Sequence, residues 1–121
     1  MLFRVDPNSQ VSLGEQIAAN VRGALAAEKL HTGERLPPAR QLADSLGVNV
    51  HTVLRGYQRL RDEGLIELRR GRGAVVTGGT VPADRARLAE RAHGLIAEAR
   101  RLGLSDEELL ALIRTGQTAP G

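Results

Sequence analysis

The sequence predicts a mainly α-helical chain with one small β-hairpin, and three observations carry that expectation. Leu13, Ile17, Val21 and Leu25 recur every fourth residue, which is the period of an amphipathic helix. Residues 65–69 alternate in polarity, and Ala74, Val75, Val76 and Thr77 form a short run beyond a glycine-rich turn, as in a hairpin. Phe3 and Tyr57 are the only aromatic residues, so the core must be Leu, Val, Ile and Ala packed helix against helix.

Taken in order, residues 1–11 read as extended and include a polar turn at Asp6, Pro7, Asn8 and Ser9. Ser12 and Glu15 have the Ser-x-x-Glu spacing of a capping box. The first helix starts there and is expected to run to Leu30, with Ala18 and Ala24 beside its apolar stripe, because His31, Thr32 and Gly33 break it. Leu36, Pro37 and Pro38 open a second helix over 38–46, closed by Gly47. Asn49 can cap a third helix that reaches about Glu63 and stops at Gly64. The hairpin follows, with its turn at 70–73. Residues 78–83 read as a linker.

Beyond the linker a helix over 84–102 carries Leu88, Ala92, Leu95, Ala99 and Leu102, spaced 4, 3, 4, 3. A second capping box at Ser105–Glu108 starts a last helix with Leu109, Leu112 and Ile113 on one face. Residues 115–121 are expected to be a disordered tail. The domain expectation is thus a DNA-binding unit at 1–77, a linker at 78–83 and a two-helix dimerisation region at 84–114.

The segment Ala39–Gln58 decides the function class. With Ala39 as first position, Ala43 is fifth, Gly47 ninth and Val53 fifteenth, while Leu42, Leu46 and Val48 fill the fourth, eighth and tenth. Two helices crossing across a three-residue turn leave room only for a small side chain at the fifth position. The ninth favours positive φ, which glycine reaches at little cost. An ordinary helical hairpin would not need these constraints together. The pattern is a helix-turn-helix, and the hairpin after it makes a wing. Val53, Tyr57 and Leu60 should point inward. Val50, His51, Thr52 and Arg55 lie toward the exposed start of the third helix, the part that meets base edges in a major groove. His51 is open between reading a base and being solvated. Arg59 and Arg61 lie further along, toward phosphates or solvent. Arg69, Arg70 and Arg72, interleaved with Gly71 and Gly73, form the wing, where arginines can neutralise phosphates or enter a minor groove and glycines allow close approach.

Charge supports this placement. The net charge is +3, and residues 50–73 hold six arginines against three acids, while residues 81–121 hold six against six. Sixteen of the 17 basic residues are arginine, whose fork suits phosphate and guanine edges.

Other classes fare poorly. There is no cysteine, so thiol chemistry and thiolate metal sites are excluded. His31, His51 and His93 are dispersed, with no catalytic partner at a convincing spacing and no clustered metal ligands. No enzyme activity, cofactor or metal is expected. No apolar run approaches the roughly 20 residues of a membrane span, and the N-terminus lacks a signal-peptide pattern, so a cytoplasmic protein is expected. The alternative function is a winged helix used as a protein-interaction or RNA-binding module.

The run from Arg35 through Val53, with Leu60–Ile66 and Arg70–Gly73, resembles the DNA-binding domain of GntR-family regulators over about residues 10–77. Glu15–Ala18 matches that family's first helix. The two-helix tail, Asn49 and the Thr52, Val53, Tyr57 pattern are similar to the YtrA subfamily. The apolar stripe of the tail, Leu88, Ala92, Leu95, Ala99 and Leu102 with Leu109, Leu112 and Ile113, must be buried either on its own winged unit or on a second copy; the resemblance implies the second, a homodimer on double-stranded DNA. It implies operator contacts from Arg40, a backbone contact from Thr52 and wing-tip roles for Gly71 and Gly73. It also implies repression of the chain's own operon, commonly with a transporter, and leaves room for a small-molecule effector. Val50 and Leu54 stand where many members carry arginine, so those base contacts do not transfer.

Overall fold

The computed structural model describes residues 1–77 and 82–118. In order along the chain are α1 (Leu13–Ala26), α2 (Ala39–Leu46), α3 (Val50–Asp62), β1 (Ile66–Arg69), β2 (Gly73–Val76), α4 (Pro82–Arg101) and α5 (Asp106–Thr118). They belong to two compact units, Met1–Glu90 and Arg91–Gly121. The result is mainly helical with one antiparallel hairpin, as the periodicities require.

Helix α1 begins with half of the expected capping box. The Glu15 N–H donates to Ser12 Oγ at 3.2 Å, while the Glu15 carboxylate accepts from Arg22 at 2.7 Å and Arg59 at 3.3 Å. The helix also ends earlier than Leu30. Glu28 takes φ +58, and the Lys29 N–H returns to the Ala24 carbonyl at 2.8 Å. A left-handed non-glycine residue costs about 1 kcal/mol. Burial of Leu30, 5% exposed, contributes roughly 2 kcal/mol and offsets it. Leu30 thus lies beyond the helix end and is buried in the core.

The N-terminal arm is tied to α1 by two amide side chains. Asn20 accepts from the Arg4 N–H at 3.0 Å and donates to the Arg4 carbonyl at 2.9 Å. Gln16 does the same at Asp6, at 2.6 and 3.0 Å. Phe3 and Val5 are thereby laid against the core.

In the hairpin, Ile66 faces Val76 and Arg69 faces Gly73. The structure adds an edge that the sequence reading left as loop. The Leu36 N–H donates to the Ala74 carbonyl at 2.9 Å and the Val76 N–H to the Glu34 carbonyl at 2.8 Å, with Arg35 bridging Val75. Residues 34–36 thus make a third extended edge and satisfy backbone groups of β2 that would otherwise need water.

The core of the first unit joins Ile17, Val21 and Leu25 of α1 to Val53 and Leu60 of α3 and to Leu65, Ile66 and Val76 of the hairpin. It reaches past the expected boundary at residue 77. Ala86 of α4 is fully buried in it, and Arg85 Nε donates to the Glu63 carbonyl at 3.1 Å, at the end of α3. Helix α4 starts at Pro82, inside the segment expected as linker. Residues 78–81 of that linker lie outside the described residues.

In the second unit the Ser105 box is complete. The Ser105 N–H donates to Glu108 Oε1 at 3.0 Å, and the Glu108 N–H donates to Ser105 Oγ at 3.1 Å. The Ser105 backbone N–H foremost, and the Ser105 side chain after it, hold the Glu108 carboxyl below its usual range. Helix α5 continues to Thr118, so residues 115–118, expected as disordered tail, are helical; residues 119–121 lie outside the described residues. Among the described residues no helix is long and apolar enough to cross a membrane.

Candidate nucleic-acid interface

The bend between α2 and α3 has the geometry its sequence calls for. Gly47 closes α2 at φ +69, and the Val48 N–H returns to the Ala43 carbonyl at 3.0 Å. Two residues later Asn49 Oδ1 accepts from the His51 N–H at 2.8 Å and starts α3. Ala43 is 2% exposed where the helices cross, as a small side chain must be. Pro38, not a polar residue, precedes α2 and makes no side-chain cap bond.

Helix α3 buries Val53, Gly56, Tyr57 and Leu60. The Tyr57 hydroxyl donates to the Pro37 carbonyl at 2.7 Å, and burial pushes its pKa well above the ordinary phenol value, so it remains a donor. That bond ties α3 to the start of α2. The opposite face of α3 presents His51, Arg55 and Gln58 to solvent. Gln58 was missed in the sequence reading, although it lies one and two turns beyond the other two at helical spacing. The expected groove residues are not equally available. Val50 is partly buried and packs on the core. Thr52 is partly buried and lines a recess of about 330 Å³ with Ser12, Gly14, Arg55 and Arg59.

Arg40 stands exposed on the first turn of α2. At the hairpin tip Arg70, Gly71, Arg72 and Gly73 are all exposed, with Gly71 and Gly73 at φ +78 and +73. An apolar cleft lies between the hairpin and α3, lined by Pro37, Leu54, Tyr57, Leu68, Arg70 and Ala74 among others. The third helix and the wing are therefore neighbours that can face one ligand together.

The arginines divide into two groups. Arg59, Arg61 and Arg69 lie within ion-pair distance of Glu15, Asp62 and Glu67, at 3.3, 3.6 and 2.8 Å. Among the described residues Arg40, Arg55, Arg70 and Arg72 have no carboxylate partner. A fork left open on an exposed surface keeps its donors for an external anion.

Arg22 has a different role, and no sequence signal singled it out. It is 2% exposed, in mid-α1. Its Nε and Nη2 donate to the two carboxylate oxygens of Glu63 at 2.6 and 2.7 Å, and Nη2 also donates to Glu15 at 2.7 Å. Burial works against the charge, but the bonds to Glu63 and Glu15 outweigh it and hold the pKa above the ordinary guanidinium value. Arg22 thus fastens the end of α3 to α1. The same two helices meet at Gly14 and Gly56, where a Cβ on Gly56 would come within 2.8 Å of the Gly14 carbonyl oxygen.

A family profile described as "Bacterial regulatory proteins, gntR family" matches residues 13–76, more than half of the chain. The chain belongs to the GntR family. It is 30% identical to the HTH-type transcriptional repressor YtrA of Bacillus subtilis, over 89% of this chain and 86% of that protein. It is 35% identical to the HTH-type transcriptional regulator Rv1152 of Mycobacterium tuberculosis, over 89% of this chain and 88% of that one. Among solved structures it is similar to YtrA from Sulfolobus acidocaldarius, a GntR-family transcription factor, with TM-score 0.60 and 32% identity over 78% of this chain and 99% of that one. This GntR-family chain is a YtrA-like, DNA-binding transcriptional regulator with a winged helix-turn-helix, not an enzyme.

Proposed function

We propose that this regulator is a homodimeric repressor that binds an inverted-repeat operator, its own operon being the first target and a transporter gene among those it controls. The observation that carries the DNA-facing half is the set of four exposed arginines without a carboxylate partner, Arg40 at the start of α2, Arg55 on the exposed face of α3 and Arg70 and Arg72 at the wing tip. The repressor assignment is supported by the printed function of the Bacillus relative. Such a protein works in the cytoplasm. A small-molecule effector has no assigned place in this reading.

The dimeric half rests on exposed leucines. Leu88, Leu95, Leu102, Leu112 and Ile113 are 40–72% exposed, and Ala92 is exposed beside them. A helix stripe of this kind favours burial against a partner. Two of the eight expected interface positions, Ala99 and Leu109, are already buried in the single chain and offer less to a second copy. Two reading heads joined in this way bind a repeated half-site far more tightly than one.

Two outcomes test the proposal. Sedimentation should give a dimer for the full chain and a monomer for the Leu95→Asp, Leu102→Asp double variant, with operator affinity falling tenfold or more; a folded variant that remained dimeric would remove the stripe from the interface. In footprinting titrations, Arg40→Ala, Arg70→Ala and Arg72→Ala should each reduce the slope of log K against log salt by about 2, about 1 for each protomer of the dimer. Unchanged slopes would take those arginines off the phosphates.

A further inference from the structure

The exposed face of α3 carries an apolar residue where polar ones would be expected. Leu54 is 37% exposed, lies about one helical turn from His51 and Gln58, and directly precedes the open Arg55. It projects at the apolar cleft shared with the hairpin, where Leu68 is 39% exposed. Arg69 and Arg70 border the same cleft, and Arg70 is one of the arginines without a carboxylate partner. Water thus touches two leucines in an apolar cleft that Arg69 and Arg70 border, with His51, Arg55 and Gln58 exposed on the same helix. A surface built that way suits a ligand that is anionic at its edges and apolar at one point.

We propose that Leu54 is a specificity-determining residue that recognises the 5-methyl group of a thymine in the major groove. This rests on the reading of α3 as the DNA-facing helix. In B-DNA the thymine methyl is the one apolar group that the major-groove edge displays, and apolar side chains are its natural contacts. A leucine neither donates nor accepts a hydrogen bond, so it can discriminate only through that methyl. Phosphates flanking the base meet Arg55 and Arg70, while the methyl and Leu54 exclude water from each other. The contact removes about one methyl group's worth of apolar surface, which corresponds to roughly a fourfold preference at each half-site.

The experiment uses the full chain. A sequence is first selected from random duplex DNA, and each thymine is then replaced singly by deoxyuridine, which lacks only the methyl. We expect one thymine in each half-site to lose roughly fourfold in affinity. With Leu54→Ala the thymine and deoxyuridine duplexes should bind alike at that position. With Leu54→Arg, repeated selection should exchange that thymine for guanine, the base whose O6 and N7 suit an arginine fork. The proposal is overturned if no thymine shows the methyl effect, if the effect persists unchanged in Leu54→Ala, or if Leu54→Arg selects the original sequence. Failure to select any duplex at all would instead overturn the reading of α3 as a DNA-facing helix, and the two failures are therefore distinguishable.

Discussion

Arg22→Ala is expected to lower the stability of the winged unit by about 3 kcal/mol, more than any exposed arginine replacement. The wild-type guanidinium is 2% exposed and serves both oxygens of Glu63 and one of Glu15. Removing it takes the fork from two largely buried carboxylates and leaves a hole between α1 and the end of α3. Charge and volume can be separated. Arg22→Met fills the space without the charge, and Arg22→Lys keeps the charge without the planar fork. If charge and geometry dominate, the methionine variant should stay near the alanine value and the lysine variant should recover only part of the loss. Urea unfolding of the three variants supplies the comparison. Full recovery by methionine would mean that Arg22 matters for its bulk alone.

Gly56→Ala should cost roughly 2–3 kcal/mol, the range seen when a packed contact is overfilled. Propensity alone predicts the opposite sign, because alanine in a helix interior is favoured over glycine by about 1 kcal/mol. The structure reverses the sign. The added Cβ would lie 2.8 Å from the Gly14 carbonyl oxygen and 3.1 Å from Ile17 Cγ2, and the first of these is backbone that cannot swing aside. Helices α1 and α3 must move apart, which loosens the packing of Ile17, Val53 and Leu60 together. Thermal unfolding should show a Tm lower by about 10 °C. A variant as stable as the parent would show that the crossing has slack. Because α3 carries the exposed face with His51 and Gln58, the same change should also weaken DNA binding through displacement of that face.

These two residues also mark where local reading of the chain reaches its limit. The bend at Gly47, the Asn49 cap, the buried Val53, Tyr57 and Leu60, and the arginine-glycine wing tip were all legible. Each depends on φ preference, capping chemistry or helical period within a few residues. The position of Gln58 was legible by the same period and went unread. Arg22 and Glu63 are 41 residues apart, and neither carries a mark in its own neighbourhood that predicts the pair. The Gly14–Gly56 approach is equally silent, since a glycine in a helical pattern has no local signal for what crosses over it.

What the chain determined by itself was the elements, their order and the family-specific bend, because those follow from short-range sterics and the burial of periodic apolar residues. Only the folded arrangement decided the end of α1, the extended edge at 34–36, the capture of Ala86 by the first unit's core, and the division of the arginines into paired and open forks. Each of those depends on which distant group arrives within a few ångströms, and contact between residues far apart in sequence is set by the packing of the whole unit.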